Sequence, residues 1–206
     1  MVHSSDLEKI KKISEQEKDS KIILLNHDKY KSIILEQKST ETFSNLASLL
    51  CSFEVGKKQG DDLVFFVEDD YLHTPNAITE MIFSYEKFSS FFSDEVILLP
   101  SDYPYLYTAA ETTRIYLGQN RHKRQINQTL CTFLTSRMMI DKYHENITQM
   151  CKFEHYPFEK PLHNIYKKEF CFSPIPSIAI HCTNINSIYG LSPNVDLKKL
   201  WEEAAF

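Results

Sequence analysis

The sequence predicts an α/β protein: an α/β/α sandwich built around a mostly parallel central sheet. Three observations lead there. Short apolar runs of strand length alternate with stretches whose apolar residues recur at helical spacing. One of those runs, 63–67, is a continuous apolar stretch, the pattern of a strand covered on both faces, and 21–25 is a β-branched and leucine run that suits a buried strand. The run 63–67 ends directly in Glu68-Asp69-Asp70 and leads into a new helical stretch, the strand-to-helix order of crossover units.

Each element follows from its residues. Leu7, Ile10 and Ile13 among lysines and glutamates predict a short amphipathic helix over 6–18. The run 21–25 reads as a buried strand, broken by Asn26-His27-Asp28, and 32–36 as a second strand. Phe43, Leu46, Ala47, Leu50 and Phe53 mark a helix over 42–58, with Ser39-Thr40 as its cap. Gly60-Asp61-Asp62 turns the chain into the strand 63–67. After the acidic triplet, Thr74 reads as a cap and Pro75 as the first residue of the next helix. Further strands are expected at 95–99, 115–117 and 130–135, a helix at 136–150 and a short terminal helix at 197–203.

Composition narrows the function. With 206 residues, 42% of them hydrophobic, the chain is expected to form one domain spanning 1–206. Four glycines, none in a phosphate-loop or dinucleotide pattern, argue against P-loop and Rossmann chemistry. A formal charge of -5 disfavours nucleic acid as a partner. Five widely spaced cysteines with no C-x-x-C fit reduced thiols and a cytoplasmic location. No stretch of about 18 apolar residues is present, so no transmembrane segment is expected, and the sequons at Asn127 and Asn146 read as chance.

Three adjacent carboxylates at the end of a buried strand repel one another and lose hydration. A divalent cation would neutralise them, and ligand sites in open α/β sheets lie at the carboxyl ends of strands. Hard oxygen ligands suit magnesium or manganese, which bridge to substrate phosphates. The same acids also fit a solvated helix N-terminus. The run Arg121-His122-Lys123-Arg124 fits either an anion-binding patch, for a diphosphate or an anionic acceptor, or a solvated loop. Tyr103, Tyr105 and Tyr107 could stack on a sugar ring or pack a strand edge.

Glu68-Asp69-Asp70 is similar to the D-x-D signature of nucleotide-sugar-dependent glycosyltransferases with the GT-A fold. The longer string Val67-Glu68-Asp69-Asp70-Tyr71-Leu72-His73 resembles a subgroup of bacterial family-2-like transferases. The likeness continues through Asn45 with Ser44 and Ala47, Asp102-Tyr103-Pro104-x-x-Tyr107, the segments 118–124 and 129–135, the stretch Ser173-Pro174-Ile175-Pro176-Ser177 up to His181-Cys182, and Leu191-Ser192-Pro193-x-x-Asp196. It covers roughly residues 43–201.

The resemblance implies a GT-A-like fold, a nucleotide-diphospho-sugar donor, a glycan, lipid or protein acceptor, and Mn2+ or Mg2+. It implies Asp70 as the direct metal ligand, Glu68 sharing the metal or facing the ribose, and His181 completing the metal site. Asp69 would hold the strand end. Asn45, Glu68, Asp69, Arg121 and Arg124 would form the donor-binding set. Glu159 is the expected base of an inverting transfer, with Asp141 and Glu154 as rivals. Two features depart from the pattern. Lys160 stands where a second acid is usual, and only about 60 residues precede Asp61, so the first βα unit is missing or reduced. The chain would be a minimal enzyme, would use Asn26-His27-Asp28 as a substitute loop, would be completed by a partner, or would be a degenerate relative; a homo-oligomer is a separate expectation. The alternative function is a non-catalytic, degenerate GT-A-like module that binds sugar or protein. A metal-dependent phosphohydrolase ranks below both, for want of a second acidic cluster.

Overall fold

The computed structural model describes residues 4–35, 39–183, 185–187, 190 and 195–204. Helix α1 (Ser4–Gln16) falls where the amphipathic spacing places it, and a single turn, α2 (His27–Tyr30), follows after an extended segment. Helix α3 (Thr40–Gln59) starts at Ser39, whose Oγ accepts the Thr42 N–H at 3.0 Å. The remaining elements are β1 (Leu63–Phe66), β2 (Tyr71–His73), α4 (Ala77–Phe92), β3 (Val96–Leu98), a 3-10 turn (Pro104–Tyr107), β4 (Ile115–Leu117), β5 (His122–Gln125), β6 (Phe133–Ser136), α5 (Arg137–Met150), α6 (Lys160–Tyr166), β7 (Phe170–Ile175), β8 (Ala179–His181) and α7 (Leu197–Ala204).

The main sheet has six strands in the order β1-β6-β3-β7-β5-β4, and β2 pairs with β8 in a separate two-stranded ribbon. The expectation of a mostly parallel sheet is corrected here: only β3 and β7 are parallel neighbours, and the other four adjacent pairs are antiparallel. The cause is interleaving. Strands β1, β3, β7 and β4 all run the same way, as an alternating α/β order suggests. The reversed strand β6 lies between β1 and β3, and the reversed β5 between β7 and β4.

Both faces of the sheet are covered, so the layers are those of an α/β/α sandwich. Strand side chains alternate between two cores. Phe66, Ile97, Leu99, Phe133 and Cys171 pack with Leu46, Leu50 and Phe53 of α3, with Ile140 and Ile147 of α5, and with Leu162 and Ile165 of α6. Val96, Leu98, Leu134 and Phe172 face the other way, onto Met81, Tyr85 and Phe88 of α4. On that side Phe92 stacks on Phe170 at 4.2 Å between ring centroids, and Phe88 meets Phe172 at 4.8 Å.

Four local expectations are revised. Residues 21–25 form no strand, and Ile22, Ile23 and Leu24 are exposed. No neighbouring strand pairs with them, and an apolar run without a ladder is not a strand. Residues 31–33 form a turn, with the Ile33 and Ile34 N–H groups both on Tyr30 O, in place of the expected strand over 32–36, whose last residue lies outside the described residues. Strand β1 is at the sheet edge and only Phe66 is buried, so it is not covered on both faces. Helix α4 starts at Ala77 rather than at Pro75, because Tyr71–His73 is drawn into pairing with β8, and Thr74 N–H continues that pairing to Ile178 O.

Candidate functional site

The shared direction of β1, β3 and β7 places their carboxyl ends at one edge of the sheet. The chain leaves β1 into Glu68, β3 into Asp102 and Tyr103, and β7 into Pro176 and Ser177; at the same edge Thr132 leads into the reversed β6. This is the edge where open α/β sheets bind ligands.

Glu68 is fixed there by Thr132. Its backbone N–H donates to Thr132 Oγ1 at 3.0 Å, and the Thr132 hydroxyl donates to Glu68 Oε2 at 3.2 Å. Burial, then the Asp70 carboxylate, pushes the Glu68 carboxyl up to about 7; the Thr132 hydroxyl opposes this, and Glu159 and Asp69 add to it. The β2–β8 ribbon positions the next pair. Tyr71 lies opposite His181 in its register, the Cys182 N–H donates to Asp70 O at 2.7 Å, and His181 Nε2 reaches Asp70 Oδ2 at 2.9 Å. The Tyr71 ring lies 5.0 Å from the His181 ring, and its hydroxyl shares a hydrogen bond with Tyr103, which is fully buried.

Glu159 approaches from the other core layer. It is the residue before α6 and makes no side-chain capping bond. Burial raises its carboxyl above the ordinary range, partly offset by its own backbone N–H and by His181. Helix α6 is tied to the sheet edge by His163, whose Nε2 contacts Thr129 O at 3.0 Å. Glu68, Asp70, Glu159 and His181 therefore converge from three separate parts of the chain. Their mutual fields, the 2.9 Å contact and the Thr132 hydrogen bonds define the site.

The other expected site residues lie elsewhere or are engaged. Asp69 is exposed beside the cluster, and Asn45 is exposed on α3. Arg121 donates to Glu80 and to the Pro176 and Ser177 carbonyls. Arg124 is hydrogen-bonded to Asp102 and lies over the Tyr107 ring at 4.4 Å. The basic run is thus a strand, β5, whose cations are held by acids on α4 and after β3. Of the rival bases, Glu154 is exposed and Asp141 faces Lys57 and Arg137 at 3.8 and 3.9 Å. The closing segment 191–194 lies outside the described residues.

A divalent cation is tested by the donor set. Asp70 and His181 together offer a carboxylate oxygen and an imidazole nitrogen. That suits magnesium or manganese, which take one or two protein ligands and leave the rest to water and phosphate. Among the described residues no group of three His, Cys, Asp or Glu side chains is arranged around a common point, so Glu68 is not assembled with the pair as a third ligand. Thr132 and Tyr71 are parts of the site that sequence reasoning gave no role, and Tyr103, expected to stack on a sugar ring or pack a strand edge, is instead fully buried and hydrogen-bonded to Tyr71. Tyr71 followed the acidic triplet directly, whereas nothing in the sequence distinguishes Thr132 from neighbouring threonines.

The class that fold and site define is an α/β protein with an acidic and imidazole cluster at the carboxyl edge of a mixed sheet. No family model, curated protein or solved structure gives a significant match to the chain. Among the described residues no helix is long and apolar enough to cross a membrane.

Proposed function

We propose that the chain is a metal-dependent glycosyltransferase that moves a sugar from a nucleotide-diphospho-sugar to an acceptor hydroxyl with inversion. The observation carrying this reading is the convergence of Glu68, Asp70, Glu159 and His181, singled out on sequence grounds, at one sheet edge. In this reading Asp70 and His181 would hold Mn2+ or Mg2+, and Glu68 would face the donor's ribose. The bound cation would offset the charge of the departing diphosphate. Glu159 takes the proton of the acceptor hydroxyl as its oxygen bonds to the anomeric carbon; the bond to the diphosphate breaks with its electron pair on the leaving oxygen. A carboxyl raised by burial is a stronger proton acceptor than a solvated one, as a base working near neutral pH requires.

The test separates binding from chemistry. Glu159→Gln should bind the donor nucleotide as wild type does but transfer sugar, or hydrolyse the donor with water, at least about 100-fold more slowly. Normal turnover in Glu159→Gln would remove it from the role. A second reading, a degenerate module that binds without turnover, is favoured by the engagement of Arg121 and Arg124 in ion pairs and by the two-donor metal set. Donor binding without turnover by the wild type, under any acceptor screened, would support it.

A further inference from the structure

A cavity of about 870 Å3 opens beside the 3-10 turn Pro104–Tyr107, between the loop 108–114, the end of β5 and the last residues of α6. The size is that of a small-molecule site. Its wall is cationic: Arg114, Arg124 and Lys167 stand against Glu111 alone. Neither Arg114 nor Lys167 forms an ion pair among the described residues.

Arg124 makes this more than a solvated basic loop. It is 8% exposed, and it donates through Nη2 to Asp102. Its Nε is buried with no hydrogen-bond partner. A buried donor on a charged group is costly to leave unpaired, and an anionic oxygen would pair it. Leu106 and Tyr107 give the same cavity apolar surface, the combination that receives a sugar's carbon face.

The cavity and the acidic cluster are linked by two short elements. Tyr103, hydrogen-bonded to Tyr71 beside Asp70, begins the 3-10 turn, and Tyr107 at its end lines the cavity. Four residues of 3-10 helix span about 8 Å. Glu159 precedes α6, and Tyr166 and Lys167 at its other end line the cavity. Seven residues of α-helix span about 10 Å. The helix and the turn thus set the cavity roughly 10 Å from Glu159 and roughly 8 Å from Tyr103, about the length of one or two sugar rings.

We propose that this cavity is the acceptor seat and that the acceptor carries an acidic sugar, whose anionic group is bound by Arg124 and Lys167. The assignment of the seat to the acceptor rests on the transferase reading.

The experiment titrates the full chain, by ligand-observed NMR, with three probes: glucuronic acid, glucose 1-phosphate and glucose. At least one anionic sugar should bind at least about tenfold more tightly than glucose. The tighter of the two anions then tells a carboxylate from a phosphate. Lys167→Glu should remove that preference. Thr112→Trp, on the exposed loop, keeps every charge but fills the cavity, and should abolish binding of both anions. Equal affinity for all three sugars, or anion binding that survives Thr112→Trp, would overturn the proposal. Manganese with a nucleoside diphosphate is titrated into wild type in parallel. Nucleotide binding with no acidic-sugar preference overturns the cavity assignment and leaves the transferase reading standing. Acidic-sugar binding with no nucleotide binding overturns the transferase reading, and with it the acceptor role, while the acidic-sugar site remains.

Discussion

Glu68 shows how one side chain carries the electrostatics of the site. Its carboxyl lies among Asp70, Glu159 and Asp69 and is anchored by Thr132, and its proton is held up to about 7. The sign of the consequence follows from proton counts. Between the ordinary value of 4.5 and about 7 the folded state binds more protons at Glu68 than the unfolded state does. Stability from this residue is therefore full below 4.5 and is lost as pH rises toward about 7. Glu68→Gln stays neutral throughout. In the metal-free protein it should match wild type at low pH and exceed it by on the order of 1–3 kcal/mol above neutrality, as read by urea denaturation across that range. Parallel pH profiles for the two would show that Glu68 ionises freely in the fold. At this scale the residues that meet in the cluster were conspicuous in the sequence: three adjacent acids end an apolar run, and a histidine follows Ile178-Ala179-Ile180. Thr132 was not legible, because a threonine that braces a carboxylate differs from one that packs a strand only through its spatial neighbour.

At the scale of elements, β5 explains why a basic run was open to two readings. A charge run commonly lies in water, yet Lys123 is 1% exposed and faces Glu80, itself 2% exposed, at 3.6 Å. Arg121 reaches the same carboxylate at 2.8 Å. Burial pulls the Lys123 ammonium down to about 8, with Glu80 opposing and Arg121 assisting. This network ties α4 to β5 across one sheet face. Glu80→Ala would leave buried cations without their counter-charge and should cost about 3–5 kcal/mol by urea denaturation. Glu80→Met combined with Lys123→Met removes the fully buried pair, leaves the part-exposed Arg121 on the Pro176 and Ser177 carbonyls, and should recover much of that loss. If Glu80→Ala costs under about 1 kcal/mol, the network contributes little to holding the layers together. Helix α3 was readable from its spacing and its Ser39 cap, since both depend on local sequence, and α5 fills the expected helical stretch 136–150. Neighbour relations in the sheet were not readable: alternation of elements set the direction of β1, β3, β7 and β4, but the placement of β6 and β5 between them depends on long-range pairing.

At the scale of the whole molecule, the described residues before Gly60 supply three helices and no strand, and the sheet opens with β1 at its edge. The run 21–25 has strand composition but no ladder, and most of it faces solvent. Its amides should exchange with solvent far faster than those of β3 and β7 in the sheet interior, measured by hydrogen-exchange mass spectrometry. Protection of 21–25 equal to that of β3 would mean that the segment pairs as a strand in solution. The three-layer arrangement brings the acidic turn after β1, the β2–β8 ribbon and the start of α6 to one edge, and the proposed chemistry depends on that meeting.

The most direct test of that meeting is a calorimetric titration of manganese into the full chain, with and without a nucleoside diphosphate. Metal and nucleotide should each tighten the other's binding if, as proposed, Asp70 and His181 hold a cation that also takes up diphosphate. Asp70→Asn, which keeps shape and removes charge, should abolish that coupling. His181→Ala should weaken manganese at least about tenfold, a loss of about 1.4 kcal/mol. Manganese and nucleotide binding independently of each other, with affinities unchanged in Asp70→Asn and His181→Ala, would contradict the account.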